Sequence, residues 1–259
     1  MPEADAADLA LLIDAAHAAG EIAKVHFGRN PEVWEKADNG GPVSEADLAI
    51  DRMLNAELGD ARPDYGWLSE ETEDGAARLN TERLFIVDPI DGTRAFVAGR
   101  PTFSHALAVI EGGAVTAAAV HLPIPGLTFA ATRGGGATVN GAPISPSLRE
   151  GLSGAAVLTH EWQMKAKNWP GGVPNVVTHH RSSLAYRLCL IANGEFDAMI
   201  TLRNAWEWDV AAGALIVAEA GGTVTDRNGA APAFNNPTPK LPGMIAAPAQ
   251  LHPQIMALR

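Results

Sequence analysis

The chain has 259 residues, 47% hydrophobic and 19% charged, an ordinary globular mix with enough apolar residues for a sizeable core, which excludes disorder and miniature scaffolds. Its 30 Asp plus Glu outnumber 19 Lys plus Arg for a formal charge of −11, which repels phosphodiester backbones and argues against a nucleic acid polymer as partner. One cysteine, Cys189, excludes an internal disulfide and Cys-rich metal sites.

Glu3, Asp5 and Asp8 stand where a secretory signal carries Lys or Arg, and no uncharged apolar run reaches the ~20 residues that span a bilayer, so the expected location is cytoplasmic. From Leu9, the positions Leu12, Ile13, Ala16, Ala23 and Phe27 fall mostly three or four apart and predict an amphipathic helix closed by Gly28 and Pro31. A second helix opens at Ser44, with Ala46, Ala49, Ile50, Met53 and Leu54 on one stripe and Gly59 and Pro63 bracketing its end. Leu84-Phe85-Ile86-Val87 reads as a buried strand ending at Asp88. Between Phe103 and Gly141, short apolar stretches are punctuated by Gly112-Gly113, Pro125-Gly126, Gly134-Gly135-Gly136 and Asn140-Gly141, the pattern of an antiparallel meander.

From Trp162 to Pro174 the composition is that of a loop. Ser183 to Ala192 then reads as a helix, Ala198 to Leu202 as a strand, and Asp209 to Ala220 as a helix closed by Gly221-Gly222. Helices and strands mixed without regular βαβ alternation favour layered α+β packing. The expected division is an N-terminal α+β half over 1–145 that carries the metal-binding motif, and a C-terminal α/β half over 146–259 that completes the site.

The strongest chemical signal is Asp88-Pro89-Ile90-Asp91-Gly92-Thr93. A strand that ends in Asp and turns through Pro and Gly to a second Asp aims two carboxylates into one small volume, where they repel unless a cation lies between them. Mg²⁺ prefers such oxygen donors. The turn also offers the Ile90 carbonyl, the amides around Gly92 and Thr93 for an anion, and the Thr93 hydroxyl for orienting a water. Turn chemistry alone explains much of this composition. Local explanations exist for the other acids too. Glu70-Glu71 reads as an acidic patch, Asp209 as a helix cap beside Trp208, and Asp47 as the acid of a capping box with Ser44. What they leave unexplained is the joint occurrence of these acids.

Several other motifs carry less. Arg133-Gly134-Gly135-Gly136 lacks the Lys-Ser/Thr of a P-loop and reads as a hairpin turn, and His160, His179 and His180 lack the spacing of a zinc hydrolase. Gly151-Leu152-Ser153-Gly154 is not a nucleophile elbow. Lys36, before the turn Asn39-Gly40-Gly41-Pro42, reads as a surface lysine, and Trp206 and Trp208 as core residues.

Taken together, Ser69-Glu70-Glu71, Asp88-Pro89-Ile90-Asp91-Gly92-Thr93, Trp208-Asp209-Val210-Ala211-Ala212-Gly213 and Glu219-Ala220-Gly221-Gly222 resemble the inositol monophosphatase superfamily of Mg²⁺-dependent, lithium-sensitive phosphatases. The resemblance runs nearly end to end and implies a layered αβαβα sandwich. It implies that Glu70, Asp88 and the Ile90 carbonyl hold a first metal, that Asp88, Asp91 and Asp209 hold a second, and that Thr93 positions the nucleophilic water. It further implies that Asp47 supports that water or a third ion, giving two or three Mg²⁺, with Mn²⁺ as the alternative. Metal-bound water is a strong nucleophile at neutral pH, so an acidic enzyme of this kind takes a phosphate ester without an Arg or Lys cluster. Dimers are common among such relatives, and no interface signature in the sequence decides whether this chain forms a homodimer.

The expected substrate is a small phosphate ester, bound by Asp91, Gly92, Thr93, Ser182, Ser183 and Asp209. Inositol-type members carry an acid seven residues before the Trp-Asp aspartate, where this chain has Leu202. Arg181-Ser182-Ser183-Leu184 with Trp206-Glu207-Trp208-Asp209 is similar to bacterial 3′(2′),5′-bisphosphate nucleotidases, and Arg94-Ala95-Phe96 is similar to the histidinol-phosphate phosphatases. The order of expectation is nucleotide bisphosphate, inositol 1-phosphate, then histidinol phosphate. A non-catalytic metal- or polyol-binding protein of the same fold is the alternative from another class.

Overall fold

The computed structural model describes residues 3–36 and 41–259. Helix α1 (Glu3–His26) is followed by β1 (Val33–Glu35), β2 (Pro42–Ser44), α2 (Glu45–Ala61), β3 (Gly66–Ser69) and β4 (Arg83–Asp91). The short helix α3 (Thr93–Val97) leads to the meander β5 (Ser104–Glu111), β6 (Ala114–Leu122), β7 (Leu127–Thr132), β8 (Gly136–Val139) and β9 (Ala142–Pro143). The second half runs through β10 (Ala155–Leu158), β11 (Val176–His179), α4 (Leu184–Ala192), β12 (Ala198–Thr201), β13 (Ala205–Trp206) and α5 (Glu207–Glu219). It closes with β14 (Gly222–Thr225), β15 (Lys240–Leu241), β16 (Met244–Pro248) and α6 (His252–Met256).

Two sheets form the frame. Strands β3 to β9 lie in chain order in a seven-stranded sheet, parallel only between β3 and β4. The other sheet has the order β11-β10-β12-β16-β14. Alternation along the strands decides the layers. In β4, Phe85 and Val87 pack with Leu12, Ala16, Ile50 and Leu54 of α1 and α2, while Leu84 and Ile86 pack with Leu188, Ile216 and Val217 of α4 and α5. The second sheet repeats this pattern, with Met199 and Ala246 facing α4 and α5 while Ile200 and Ile245 face Leu251 and Ile255 around α6. The architecture is therefore the expected αβαβα sandwich, an α+β fold with helices α4 and α5 as its middle layer. No helix among the described residues is long and apolar enough to cross a membrane.

Element limits depart from expectation where acids are buried. Helix α1 begins at Glu3 rather than Leu9, because Asp5 and Asp8 are buried against Arg83, with Asp8 also pairing Arg62 at 2.8 Å. Helix α5 starts at Glu207, whose buried carboxylate accepts the Asn235 and Asn236 amides, so Asp209 sits within the first turn rather than opening it. Strand β4 runs on to Asp91 through an irregularity in its pairing. The stretch between Trp162 and Pro174 holds two short 3-10 turns over Glu161–Met164 and Ala166–Asn168, and its Trp169 is buried in the outer core.

The meander turns behave as expected. Asn140 and Gly141 both have positive φ between paired Val139 and Ala142, the two-residue turn that matches strand twist. Gly134 and Gly136 donate their amides to the Glu219 carboxylate at 2.8 and 2.9 Å. The middle layer leaves least room, since a Cβ on Gly213 of α5 would lie 2.6 Å from Cβ of Leu188 in α4. Gly213→Ala should therefore lower stability by roughly 1–3 kcal/mol, the usual cost of overpacking. Urea denaturation checks this, and an unchanged midpoint would contradict the tight contact.

Candidate active site

Three acids from three elements converge. Glu70 follows β3 and keeps pace with β4 by donating its N–H to the Val87 carbonyl, Asp88 lies in β4, and Asp209 lies in the first turn of α5. One carboxylate oxygen from each falls within 4.8 Å of the others, the one such group of three or more His, Cys, Asp or Glu among the described residues. Asp88 is buried, and neither of its carboxylate oxygens has a hydrogen-bond partner. Burial, then Glu70, Asp91 and Asp209, push the Asp88 carboxyl well above its usual range, and burial followed by Asp91 and Glu70 does the same for Asp209. An all-oxygen donor set around an unsatisfied buried carboxylate fits a hard divalent cation such as Mg²⁺.

Asp91 is anchored from the other half of the chain. Its Oδ2 accepts from Ser183 Oγ at 2.6 Å and from the Ala185 amide at 2.7 Å, at the N-terminus of α4. Burial raises its carboxyl to about 6 despite these two donors. Ser183, expected to touch substrate, is instead fully buried. Its hydroxyl is used by Asp91, Ser104 and the Tyr186 amide, so it positions Asp91 from behind. Ser182 does line the cavity.

Gly92 carries the turn with φ of 99°, a left-handed conformation where a side chain would be strained. Thr93 Oγ1 lies 3.2 Å from Asp47 Oδ1 and 3.1 Å from the Ile90 carbonyl. The other Asp47 oxygen accepts from Ser44 N and Ser44 Oγ, completing the capping box of α2. Asp47 thus serves as helix cap and partner of Thr93 at once. Burial, the largest influence, raises its carboxyl to about 6.

Two features differ from the sequence reading. Lys36, expected on the surface, places Nζ 2.7 Å from both Glu70 Oε1 and Glu71 Oε1 and is mostly buried. Burial works against its charge, but the two glutamates outweigh it and hold the ammonium above its ordinary range. Asn39 and Gly40 of the following turn lie outside the described residues. Second, the cavity of about 610 Å³ that contains Glu70, Asp88, Asp91 and Asp209 is also lined by Arg94, Arg100, Arg187 and Arg203. Among the described residues none of the four forms a salt bridge, although Arg187 is attracted by Asp91 and Asp209 and its guanidinium donates to the Arg181 carbonyl and reaches His180 Nε2. His160 and His180 also line this cavity, and burial followed by Arg187 and His160 lowers the His180 pKa. No local motif announces these basic residues.

At the rim, Trp206 is stacked on Trp208 at 4.6 Å, and Lys240 Nζ lies 3.7 Å from the Trp206 ring centre. Both faces of Trp206 are thereby covered. Leu202, seven residues before Asp209, is buried in the outer core.

The profile of the inositol monophosphatase family matches residues 6–259. The chain belongs to the inositol monophosphatase family. It is 34% identical over 236 residues to an inositol-1-monophosphatase of Rhizobium meliloti, covering 85% of this chain and 86% of the relative. It is 35% identical over 214 residues to a fructose-1,6-bisphosphatase/inositol-1-monophosphatase of Thermotoga maritima, covering 81% of each. The solved structure of the suppressor protein SuhB from Bartonella henselae superposes with a TM-score of 0.83 at 30% identity, covering 98% of both chains. Members of the family are metal-dependent phosphatases, so the chain is a phosphoric monoester hydrolase.

The acidic cluster carries a stability consequence. Folding without metal must either bury the Asp88 charge or protonate it above its usual range, a cost that Asp88→Asn removes, so near neutral pH the metal-free variant should be more stable than the metal-free wild type by roughly 0.5–2 kcal/mol. Mg²⁺ should raise the unfolding temperature of the wild type and not of the variant, and a metal-free variant less stable than the wild type would contradict the repulsion argued here. Asp47 and Asp91 titrate at about 6 and Glu71 at about 7, all raised chiefly by burial. The metal-free native state then holds protons that the unfolded chain has lost, so its stability should fall as pH rises from about 4 to 7. Thermal unfolding across that window without metal checks the sign.

Proposed function

We propose that the chain hydrolyses a small phosphate monoester at this cavity with Mg²⁺ held by Glu70, Asp88, Asp91, Asp209 and the Ile90 carbonyl. The observation that carries the reading is the buried, unpartnered Asp88 carboxylate flanked by Glu70 and Asp209. Divalent cations bound there supply the charge that acidifies a water and offsets the growing charge of an in-line displacement. The protein's own part begins at Thr93. Its hydroxyl has one hydrogen, directed to Asp47 or the Ile90 carbonyl, and so turns oxygen lone pairs to the cavity to accept from a water and fix its direction. Ser44 holds Asp47 rigid, and Asp47 in turn fixes the Thr93 rotamer. Gly92 and Thr93, which line the cavity, present amides toward phosphoryl oxygens.

For the substrate, a small molecule with a second phosphate is favoured over a polyol monophosphate. Arg94, Arg100 and Arg203 line the cavity that holds the acids and, among the described residues, form no salt bridge, in a chain whose net charge is −11. Guanidiniums match a second phosphate in geometry and charge. Leu202 provides no acid for a sugar hydroxyl. A 3′(2′),5′-bisphosphate nucleotide is the first choice and an inositol monophosphate the second. The Thermotoga relative, whose name couples a bisphosphatase to an inositol monophosphatase, supports placing both classes in one panel.

Two measurements test the proposal. Asp91→Asn should lower Mg²⁺-dependent turnover of a generic phosphate ester by on the order of 100-fold or more; an unimpaired variant would remove Asp91 from the ligand set. Comparison of kcat/KM for adenosine 3′,5′-bisphosphate, fructose 1,6-bisphosphate, inositol 1-phosphate and histidinol phosphate should rank the nucleotide first, with Arg203→Gln narrowing its lead over the monophosphates. Inositol 1-phosphate in first place would overturn the substrate reading.

A further inference from the structure

We propose that His105 is a positioning residue that locks the backbone of the metal-binding motif from behind. Strands β4 and β5 pair Asp88 with Ala106 and then Asp91 with Ser104, so two residues, Pro89 and Ile90, oppose the single residue His105. This two-against-one count is a β-bulge, and it re-aims side chains at the point where it occurs. Here it brings Asp88, the Ile90 carbonyl and Asp91 to the cavity within four residues.

A bulge leaves backbone groups outside the regular ladder. His105 Nδ1 lies 2.5 Å from the Pro89 carbonyl oxygen. A carbonyl only accepts, so Nδ1 carries the hydrogen, and the bond selects the neutral tautomer with a bare Nε2. That Nε2 is buried and has no partner, and burial lowers the imidazole pKa to about 3, consistent with a ring that stays uncharged. An unsatisfied buried acceptor costs free energy, which an apolar side chain opposite the bulge would avoid. The return is the bond to Pro89. The proline ring fixes φ at that residue, and the imidazole N–H fixes the direction of its carbonyl, so both sides of the bulge are held.

The ring itself cannot swing. Its strand neighbour on β6 is His121, stacked at 6.2 Å, and Phe103 stands edge-on at 6.0 Å. His121 is in turn held by Thr128 at 2.9 Å and pressed by Gly20 of α1, where an added Cβ would lie 2.9 Å from His121 Nε2. A row of side chains on the α1-facing side of the sheet therefore connects α1 to Pro89, and none of them lines the cavity. His105 touches neither ester nor cation and acts only through the peptide it bonds.

The inference rests on the metal-site reading, and direct Mg²⁺ binding separates the two. Isothermal titration of metal-free wild type, His105→Leu, His105→Asn and His105→Gln with Mg²⁺ is the experiment. In His105→Asn the amide nitrogen replaces Nδ1, whereas in His105→Gln the donor reaches toward the Nε2 position. His105→Leu should weaken Mg²⁺ binding about 10- to 100-fold, the usual effect of removing a group that orients metal ligands. His105→Asn should recover most of that loss and His105→Gln little of it. Equal Mg²⁺ affinity in His105→Leu and wild type would overturn the proposal. So would equal affinities in the Asn and Gln variants, a comparison that stands even where the Leu variant does not fold. A wild type that binds no Mg²⁺ would instead count against the metal site itself.

Discussion

Repulsion among buried carboxylates is the constraint around which the molecule is organised. Asp88 is enclosed, has no donor for either oxygen, and faces Glu70, Asp91 and Asp209. An unpaired buried charge costs several kcal/mol. A whole domain is stable by only ~5–15 kcal/mol. The fold therefore carries a locally unfavourable arrangement that the rest must hold in place and that a divalent cation relieves. Lys36, bridging Glu70 and Glu71, offsets part of this charge on one side only.

The holding is distributed over the layers. The first sheet supplies Glu70, Asp88 and the bulge. Helix α4 of the middle layer presents its N-terminal Ser183 hydroxyl and Ala185 amide to Asp91. Asp209 comes from α5, whose close approach to α4 at Gly213 and Leu188 fixes the spacing between the two. The segment around Glu70 is tied to α2, since Ser69 and Thr72 both donate to Asp51. The acids come from the end of β3, from β4 and from α5, and packing between layers converts sequence separation into proximity. Arg94, Arg100, Arg187 and Arg203 line the same cavity as the acids, and Arg187 draws on the charges of Asp91 and Asp209, so the site holds groups of both signs.

Local patterns made much of this legible. The capping box at Ser44 and Asp47, the Asn140-Gly141 turn and the α4 start at Ser183 follow from short-range chemistry. The start of α1 was hidden because Asp5 and Asp8 look like solvent-facing acids until Arg62 and Arg83 are folded onto them. Asp47 could be read as a cap or as a functional acid, and the structure has one of its oxygens capping α2 through Ser44 and the other beside Thr93. Arg100, Arg187 and Arg203 share no motif and meet only through topology. Ser183 was legible as important but not for its actual contact, because a hydroxyl in sequence does not reveal which way it is buried.

The central claim is that these acids are tolerated together because divalent ions neutralise them. It is tested most directly by titrating the metal-free protein with Mg²⁺ near pH 6 in two buffers of different ionisation heat. Carboxyls held above their usual range must give up protons as the cation enters, so the heats should differ between buffers by an amount that reports net proton release. Binding with no proton release, or no binding at millimolar Mg²⁺, would contradict the account.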